Sequence, residues 1–148
     1  MAEDQTVPYF IGALITSAIS WILLLATPFS GFNGSNYYLG VYVYGAVWAW
    51  SLVGVPILIN AILLIYCTLI SVLILRFPDK IPDRKYVKYG VFISVGAFIL
   101  TIINGIVFAA VAWEEDWWWW FGAGFYGGVI GGLLTAILFY LGEKTVEL

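Results

Sequence analysis

Four long apolar stretches constrain this chain more than any other feature of its sequence. They run from about 8 to 27, from about 47 to 75, from about 89 to 113 and from about 119 to 141. A transmembrane helix needs roughly 20 mostly apolar residues, and each stretch reaches that length. We therefore predict an all-α integral membrane protein, in which residues 1–148 form a single domain built as a bundle of four transmembrane helices.

The composition leads to the same conclusion. Hydrophobic residues make up 63% of the chain and charged residues 10%, and the mean hydropathy is +0.98. A soluble domain of this size leaves too much of its surface exposed to hide so many apolar side chains. The segment from Met1 to Val7 carries two acids and no Lys or Arg, unlike a secretory signal peptide. The first stretch is therefore expected to be a retained helix.

The basic residues are confined to two places. Five of the six Lys and Arg lie in the loop 76–88, and the sixth, Lys144, lies in the tail 142–148. Short basic loops stay on the cytoplasmic side of a membrane. The pattern predicts a multi-pass protein of the cell membrane with both termini and the basic loop in the cytoplasm. The loop 28–46 and the short turn 114–118 are then outside.

Tryptophan is concentrated at the predicted outer boundary of the membrane. Seven of the eight tryptophans lie there, and Trp21 alone lies within a span. Trp is enriched at membrane interfaces, where its ring is apolar at one end and polar at the other. We predict that seven residues anchor the protein at the outer interface: Trp48, Trp50, Trp113, Trp117, Trp118, Trp119 and Trp120.

The first outer loop, 28–46, is the longer of the two. It begins with the turn-rich TPFSGFNGSN. Aromatic residues then alternate at Tyr38, Tyr42, Tyr44, Trp48 and Trp50. Alternation favours short β-strands on the outer surface, and the alternative is that the second transmembrane helix begins earlier and projects from the membrane. Asn33-Gly34-Ser35 is an acceptor pattern for N-glycosylation, although Asn-Gly is equally suited to a plain turn.

Two amides are the deepest strongly polar side chains in the spans. Asn60 is ten residues in from Trp50, and Asn104 is nine residues in from Trp113. At helical rise these depths are about 15 Å and about 14 Å, so the two amides lie at nearly the same level. An interhelical hydrogen bond is the favoured interpretation. The alternative is a polar constriction or a contact to a ligand.

Small residues predict close helix packing. A helical stretch places residues spaced by three and four on one face, and the fourth stretch has a glycine-rich face opposite a bulky one. Such faces let helix backbones approach closely in lipid. The partner helix is in the same chain or in another chain. The predicted packing residues are Gly124, Gly127, Gly128, Gly131 and Gly132 in the fourth stretch and Gly105 in the third.

The segment EEDWWWW joins the third stretch to the fourth. On a helix, four consecutive indoles point in directions about 100° apart. We therefore expect no shared aromatic pocket and assign these indoles to anchoring. Asp116 is suited to cap the fourth helix, and Glu115 favours its N-terminus through the helix dipole. Consecutive acids rarely all point at one ion, so we predict no metal site at Glu114, Glu115 and Asp116.

Catalysis has no support in the sequence. None of the four stretches contains Asp, Glu, Lys, Arg or His in its core, and the chain has no histidine. Enzymes and ion-coupled transporters of the membrane usually place ionisable groups at depth. We predict no catalytic residue, no cofactor and no metal. The expected function is that of a structural or accessory subunit, whose partners are membrane lipids, other membrane subunits or a second copy, and not nucleic acid.

Two other functions remain open. Four helices, cytoplasmic termini, a longer first outer loop and a short second one form a layout similar to that of claudin-like and other tetraspan proteins. The resemblance implies a cell-surface adhesion or junction protein. Claudins pair an outer-loop tryptophan with two cysteines, whereas Cys67 in the second stretch is the single cysteine here. The other alternative is an oligomeric pore lined by Asn60, Asn104 and the glycines.

Overall fold

The computed structural model describes residues 2–33, 41–43 and 54–146, and its main elements are four long helices. They are α1 (Ala2–Ala26), α2 (Gly54–Arg76), α3 (Lys85–Glu114) and α4 (Ala123–Glu143). All four are long and apolar enough to cross a membrane. The predicted helical bundle with four potential membrane spans is therefore confirmed.

The helices pack as an antiparallel square. α1 and α3 each pack against both α2 and α4. Thr6 on α1 donates a hydrogen bond to the carbonyl of Thr145, just beyond α4, which brings the two ends of the chain together. Arg84, just before α3, forms an ion pair with Glu143 at 3.3 Å. Both ends of the chain and the α2–α3 connection therefore lie at one end of the bundle, which we call the basic end because it holds all six Lys and Arg.

The opposite end, which we call the sheet end, carries three short strands. They are β1 (Ser30–Asn33), β2 (Val41–Val43) and β3 (Trp118–Phe121). The order is β2-β1-β3, and β1 pairs antiparallel with both neighbours. Phe32 of β1 and Val43 of β2 are buried with Phe108 of α3, and this cluster joins the sheet to the bundle.

The tryptophan run differs from its predicted conformation. Trp118–Phe121 forms strand β3, and α4 begins at Ala123 rather than at about 119. Trp and Phe have high strand propensity, and β1 supplies a backbone partner for every residue of β3. The N–H groups of Gly122 and Gly124 donate to the carbonyls of Phe29 and Pro28 at 2.9 and 3.0 Å. Backbone atoms near β1 therefore cap α4.

Asp116 ends α3 and does not cap α4, so that prediction is wrong. Its φ is 53°, in the left-handed region. Its N–H donates to the carbonyl of Trp113, and the N–H of Trp117 donates to the carbonyl of Ala112, at 3.2 and 2.9 Å. These are the two hydrogen bonds of a Schellman motif, which usually has glycine at the left-handed position. Aspartate tolerates this conformation better than most residues, which is why the turn closes here.

Part of the predicted outer loop lies outside the described residues. This applies to the anchors Trp48 and Trp50 and to the alternating residues Tyr38 and Tyr44. Within the described range, Val41–Val43 is extended and pairs with β1.

Candidate functional site

The strand conformation of the tryptophan run decides where its indoles lie. Trp117, just before β3, stacks on Phe32 with ring centroids 4.0 Å apart and an interplanar angle of 12°. Trp119 meets Phe108 edge to face at 6.2 Å. Successive side chains of a strand alternate between its faces, so the indoles do not fan out as they would on a helix. Trp118 stays 82% exposed.

Three of the four residues of the run, Trp117, Trp118 and Trp119, line one cleft, which differs from the expectation that the run forms no common aromatic pocket. The cleft has a volume of about 420 Å³ and lies where α3 turns into β3. We call it the indole cleft. Among the described residues, its lining consists of Ala112, Trp113, Asp116, Trp117, Trp118 and Trp119. The Schellman turn brings Trp113, at the end of α3, to the same cleft as the strand indoles.

Trp120 lies outside this cleft and has a different environment. It pairs with Gly31 across the β1–β3 ladder. A Cβ at Gly31 would come within 2.5 Å of the Trp120 ring. The ring of Trp120 also meets that of Tyr42 at 6.1 Å. Gly31 therefore lets one indole lie flat across the central strand.

The charges near the indole cleft are acidic. Glu114, Glu115 and Asp116 are exposed. All six Lys and Arg of the chain belong to the basic end. Both cation–π contacts of the described residues lie there too, between Lys85 and Tyr86 and between Lys144 and Tyr140. The indoles of the cleft thus have no basic partner close to them in sequence, and their surroundings favour positive ligands.

The predicted intramembrane pair is arranged differently from the expectation. Asn60 makes an interhelical hydrogen bond, but its Nδ2 donates to the Oγ1 of Thr101 at 3.0 Å rather than to Asn104. Thr101 Oγ1 in turn donates to the carbonyl of Ala97 at 2.7 Å. Asn104 is buried one turn further along α3. The spacing from the tryptophans predicts the depth of each amide in the membrane. It does not predict the direction in which each side chain points around its helix.

Hydroxyl groups make further bonds across the helix interfaces. Ser20 on α1 donates to the carbonyl of Gly127 on α4 at 2.8 Å. Thr16 and Thr135 join hydroxyl groups 2.9 Å apart across the same interface. Ser17 and Thr68 do so between α1 and α2 at 2.8 Å. Thr68 was missed because a single Thr in an apolar stretch carries no periodic signal.

The predicted packing glycines lie against neighbours within the chain. A Cβ at Gly128 would meet the Thr101 side chain at 2.8 Å, and a Cβ at Gly131 would meet Ser20 at 2.5 Å. Gly105 leaves room for the ring of Phe125. The other three have similar contacts: Gly124 with Phe29 and Pro28, Gly127 with Leu23, and Gly132 with the backbone of Phe98.

Two other predicted features have a place in the structure. Asn33 is the last residue of β1, where it is exposed and pairs with Trp118. The rest of its acceptor pattern, at 34 and 35, lies outside the described residues. Trp113 is 80% exposed at the end of α3.

No protein-family model matches the chain, and neither a curated protein nor a solved structure matches it. Within the described residues, no group of three Asp, Glu or Cys side chains is placed to hold a metal ion.

Proposed function

We propose that this chain is a non-catalytic structural or accessory subunit of the cell membrane, which contacts other membrane subunits through its sheet end. One observation carries the proposal. Trp113 and Trp118 are 80% and 82% exposed, although they flank a turn that is fixed by backbone hydrogen bonds. Tryptophan is enriched in the energetically dominant positions of protein interfaces. Exposed indoles held on an ordered turn suit such a role.

The internal packing supports the same assignment. The glycine face of α4 packs closely against α1, α3 and the segment before β1, which are all parts of the same chain. Asn60 and the hydroxyls of α1 bond across helix interfaces. These glycines and polar groups therefore stabilise contacts between helices of the same chain. Contacts to a partner are then expected at the aromatic surface of the sheet end.

The charge distribution supports an orientation. All six basic residues lie at the end that holds both termini. The positive-inside rule then favours a cytoplasmic basic end and an outward sheet end. The test introduces one cysteine into a Cys67→Ser background, at Lys80 or at Glu115, which are both exposed. On intact cells, an impermeant maleimide should label the Glu115→Cys variant and spare the Lys80→Cys variant. The reverse pattern would invert the topology.

The partner contact is tested by photo-crosslinking in the native membrane. A photoreactive phenylalanine analogue replaces Trp118, and the matched control replaces Phe92, an α3 side chain that is 64% exposed. We expect a discrete protein adduct from position 118 and lipid adducts from position 92. The mass of the adduct distinguishes a second copy from another subunit. Lipid adducts alone at both positions would rule out the proposed contact surface.

A second candidate is adhesion between membranes. It is favoured by the position of β3, which lies at an edge of the sheet within the described residues. An edge strand presents unpaired backbone groups that a strand from another molecule can pair with. Vesicles that carry the protein would then cluster, and a Trp119→Pro substitution in β3 would abolish clustering.

A further inference from the structure

We propose that the indole cleft binds an organic ammonium cation, with a quaternary ammonium group as its preferred ligand. This inference does not depend on a protein partner and goes beyond the proposed subunit role. It starts from the lining of the cleft, where four of the six residues are tryptophan. The face of an aromatic ring attracts cations, and the indole ring does so best.

The cation must come from outside the chain. Lys85 and Lys144 lie over tyrosine rings at the basic end, and the other four basic residues belong to the same end. The bundle separates them from the cleft by the length of the helices. The chain therefore builds an electron-rich cleft with an acidic rim and brings no basic side chain of its own to it.

Asp116 supplies the matching charge. It lines the cleft together with the indoles, and the Schellman hydrogen bonds of Asp116 and Trp117 fix its backbone. Glu114 and Glu115 are exposed in the same turn and add to the negative potential. A carboxylate beside several aromatic rings is the combination that attracts a positively charged organic group.

The chemistry of the lining distinguishes among cations. A metal ion such as Ca²⁺ requires six to eight oxygen ligands, and Asp116 is the single acidic residue in the described part of the cleft lining. A primary ammonium group has three N–H donors to satisfy, and the Asp116 carboxylate is the one side-chain acceptor among the described lining residues, since indoles offer none. A quaternary ammonium group has no N–H to satisfy, so the indoles and one carboxylate meet all its requirements.

The cleft is the right size and partly preformed. Its volume of about 420 Å³ falls in the range of small-molecule sites. Trp117 is held by stacking on Phe32, and Trp119 by edge contacts to Phe108 and Phe121. Two walls are therefore fixed by packing, and the rings of Trp113 and Trp118 are exposed beside them. The ammonium group has two potential sources, a lipid headgroup at the membrane interface or a free solute.

The test uses the full chain in nanodiscs of phosphatidylglycerol, a lipid without an ammonium group. Tetramethylammonium chloride is added at constant ionic strength against NaCl, and the indole N–H resonances are followed by NMR. We expect saturable shifts for the indoles of the cleft and none for Trp120. Removal of one exposed ring by Trp118→Leu should weaken binding about twofold to fivefold. Asp116→Asn, which tolerates the left-handed conformation, should weaken it as well.

Trp120→Phe is the matched control, since it removes an indole of the same strand that lies outside the cleft. It should leave tetramethylammonium binding unchanged. Nanodiscs of phosphatidylcholine identify the source. If the headgroup is the ligand, the shifts are present before titration, and if a solute is the ligand, they still require tetramethylammonium. Identical shifts with NaCl and tetramethylammonium, or equal weakening by Trp118→Leu and Trp120→Phe, would overturn the proposal.

Discussion

Asn60 and Thr101 form a buried hydrogen bond of 3.0 Å between α2 and α3, and Thr101 also occupies the space that Gly128 leaves on α4. The side chain of Thr101 therefore contacts both neighbouring helices, α2 through a hydrogen bond and α4 through packing. Interhelical hydrogen bonds in membranes contribute about 0.6 kcal/mol on average. The methyl group of the same side chain packs on Gly128, so the hydrogen bond and the glycine contact can be tested separately.

Thr101→Val should destabilise the bundle, because it removes the acceptor of the Asn60 amide while keeping the volume of the side chain. We expect a loss of about 1 kcal/mol in the free energy of unfolding, measured by titration with a denaturing detergent. Ser71→Ala is the matched control, since the Ser71 hydroxyl is buried but bonds within its own helix to the carbonyl of Cys67. A cycle with Asn60→Leu should show coupling, and strict additivity would contradict the assignment.

Gly128→Ala should also destabilise the protein, because the added methyl group would lie 2.8 Å from Thr101. Overpacking of this kind costs about 1–3 kcal/mol. Gly96 offers a control within α3, because a Cβ there meets nothing within 4 Å. Gly96→Ala should be neutral or stabilising by about 0.5–1 kcal/mol, since alanine favours the helix more than glycine does. Equal effects of the two substitutions on the unfolding free energy would refute the packing argument.

Asp116 is expected to respond to substitution according to its left-handed φ of 53°. Asp116→Gly should preserve or raise the thermal stability, because glycine adopts this conformation without strain. Asp116→Val should lower the free energy of unfolding by about 1–2 kcal/mol. The neighbouring Glu115 has a φ of −89° and is exposed, so Glu115→Val should have little effect. A tolerated Asp116→Val would mean that the turn does not have this conformation.

Gly31 and Trp120 should behave as a coupled pair across the β1–β3 ladder. Gly31→Ala introduces a methyl group within 2.5 Å of the Trp120 ring and should loosen the sheet. Trp120→Ala removes the obstructing ring. The double variant should therefore be more stable than the sum of the two single losses, as measured by hydrogen exchange of the sheet amides. Purely additive losses would show that the two residues are not in contact.

The spans were predictable because a lipid environment fixes the length and polarity of a helix that crosses it. The strand conformation of Trp118–Phe121 was not predictable, because its partner strand, Ser30–Asn33, is far away in sequence, in the connection between α1 and α2. Strand propensity depends on such neighbours. The indole cleft was missed for the same reason, since it forms only when the tryptophan run is extended. Thr101 was not predicted as the partner of Asn60, because spacing along a helix does not identify which side chain of the neighbouring helix meets it.

The pairing of β1 with β3 has a consequence for how the protein is made. β1 belongs to the connection between α1 and α2, and β3 to the connection between α3 and α4. The chain thus consists of two helical hairpins that are joined covalently at the basic end and by backbone hydrogen bonds at the sheet end. During synthesis, the β1–β3 pairing can form only after the second hairpin has been made. A chain cut within 77–84 is then expected to reassemble from its two halves. The cut removes the covalent connection between the hairpins but leaves the helix interfaces and the β1–β3 pairing intact.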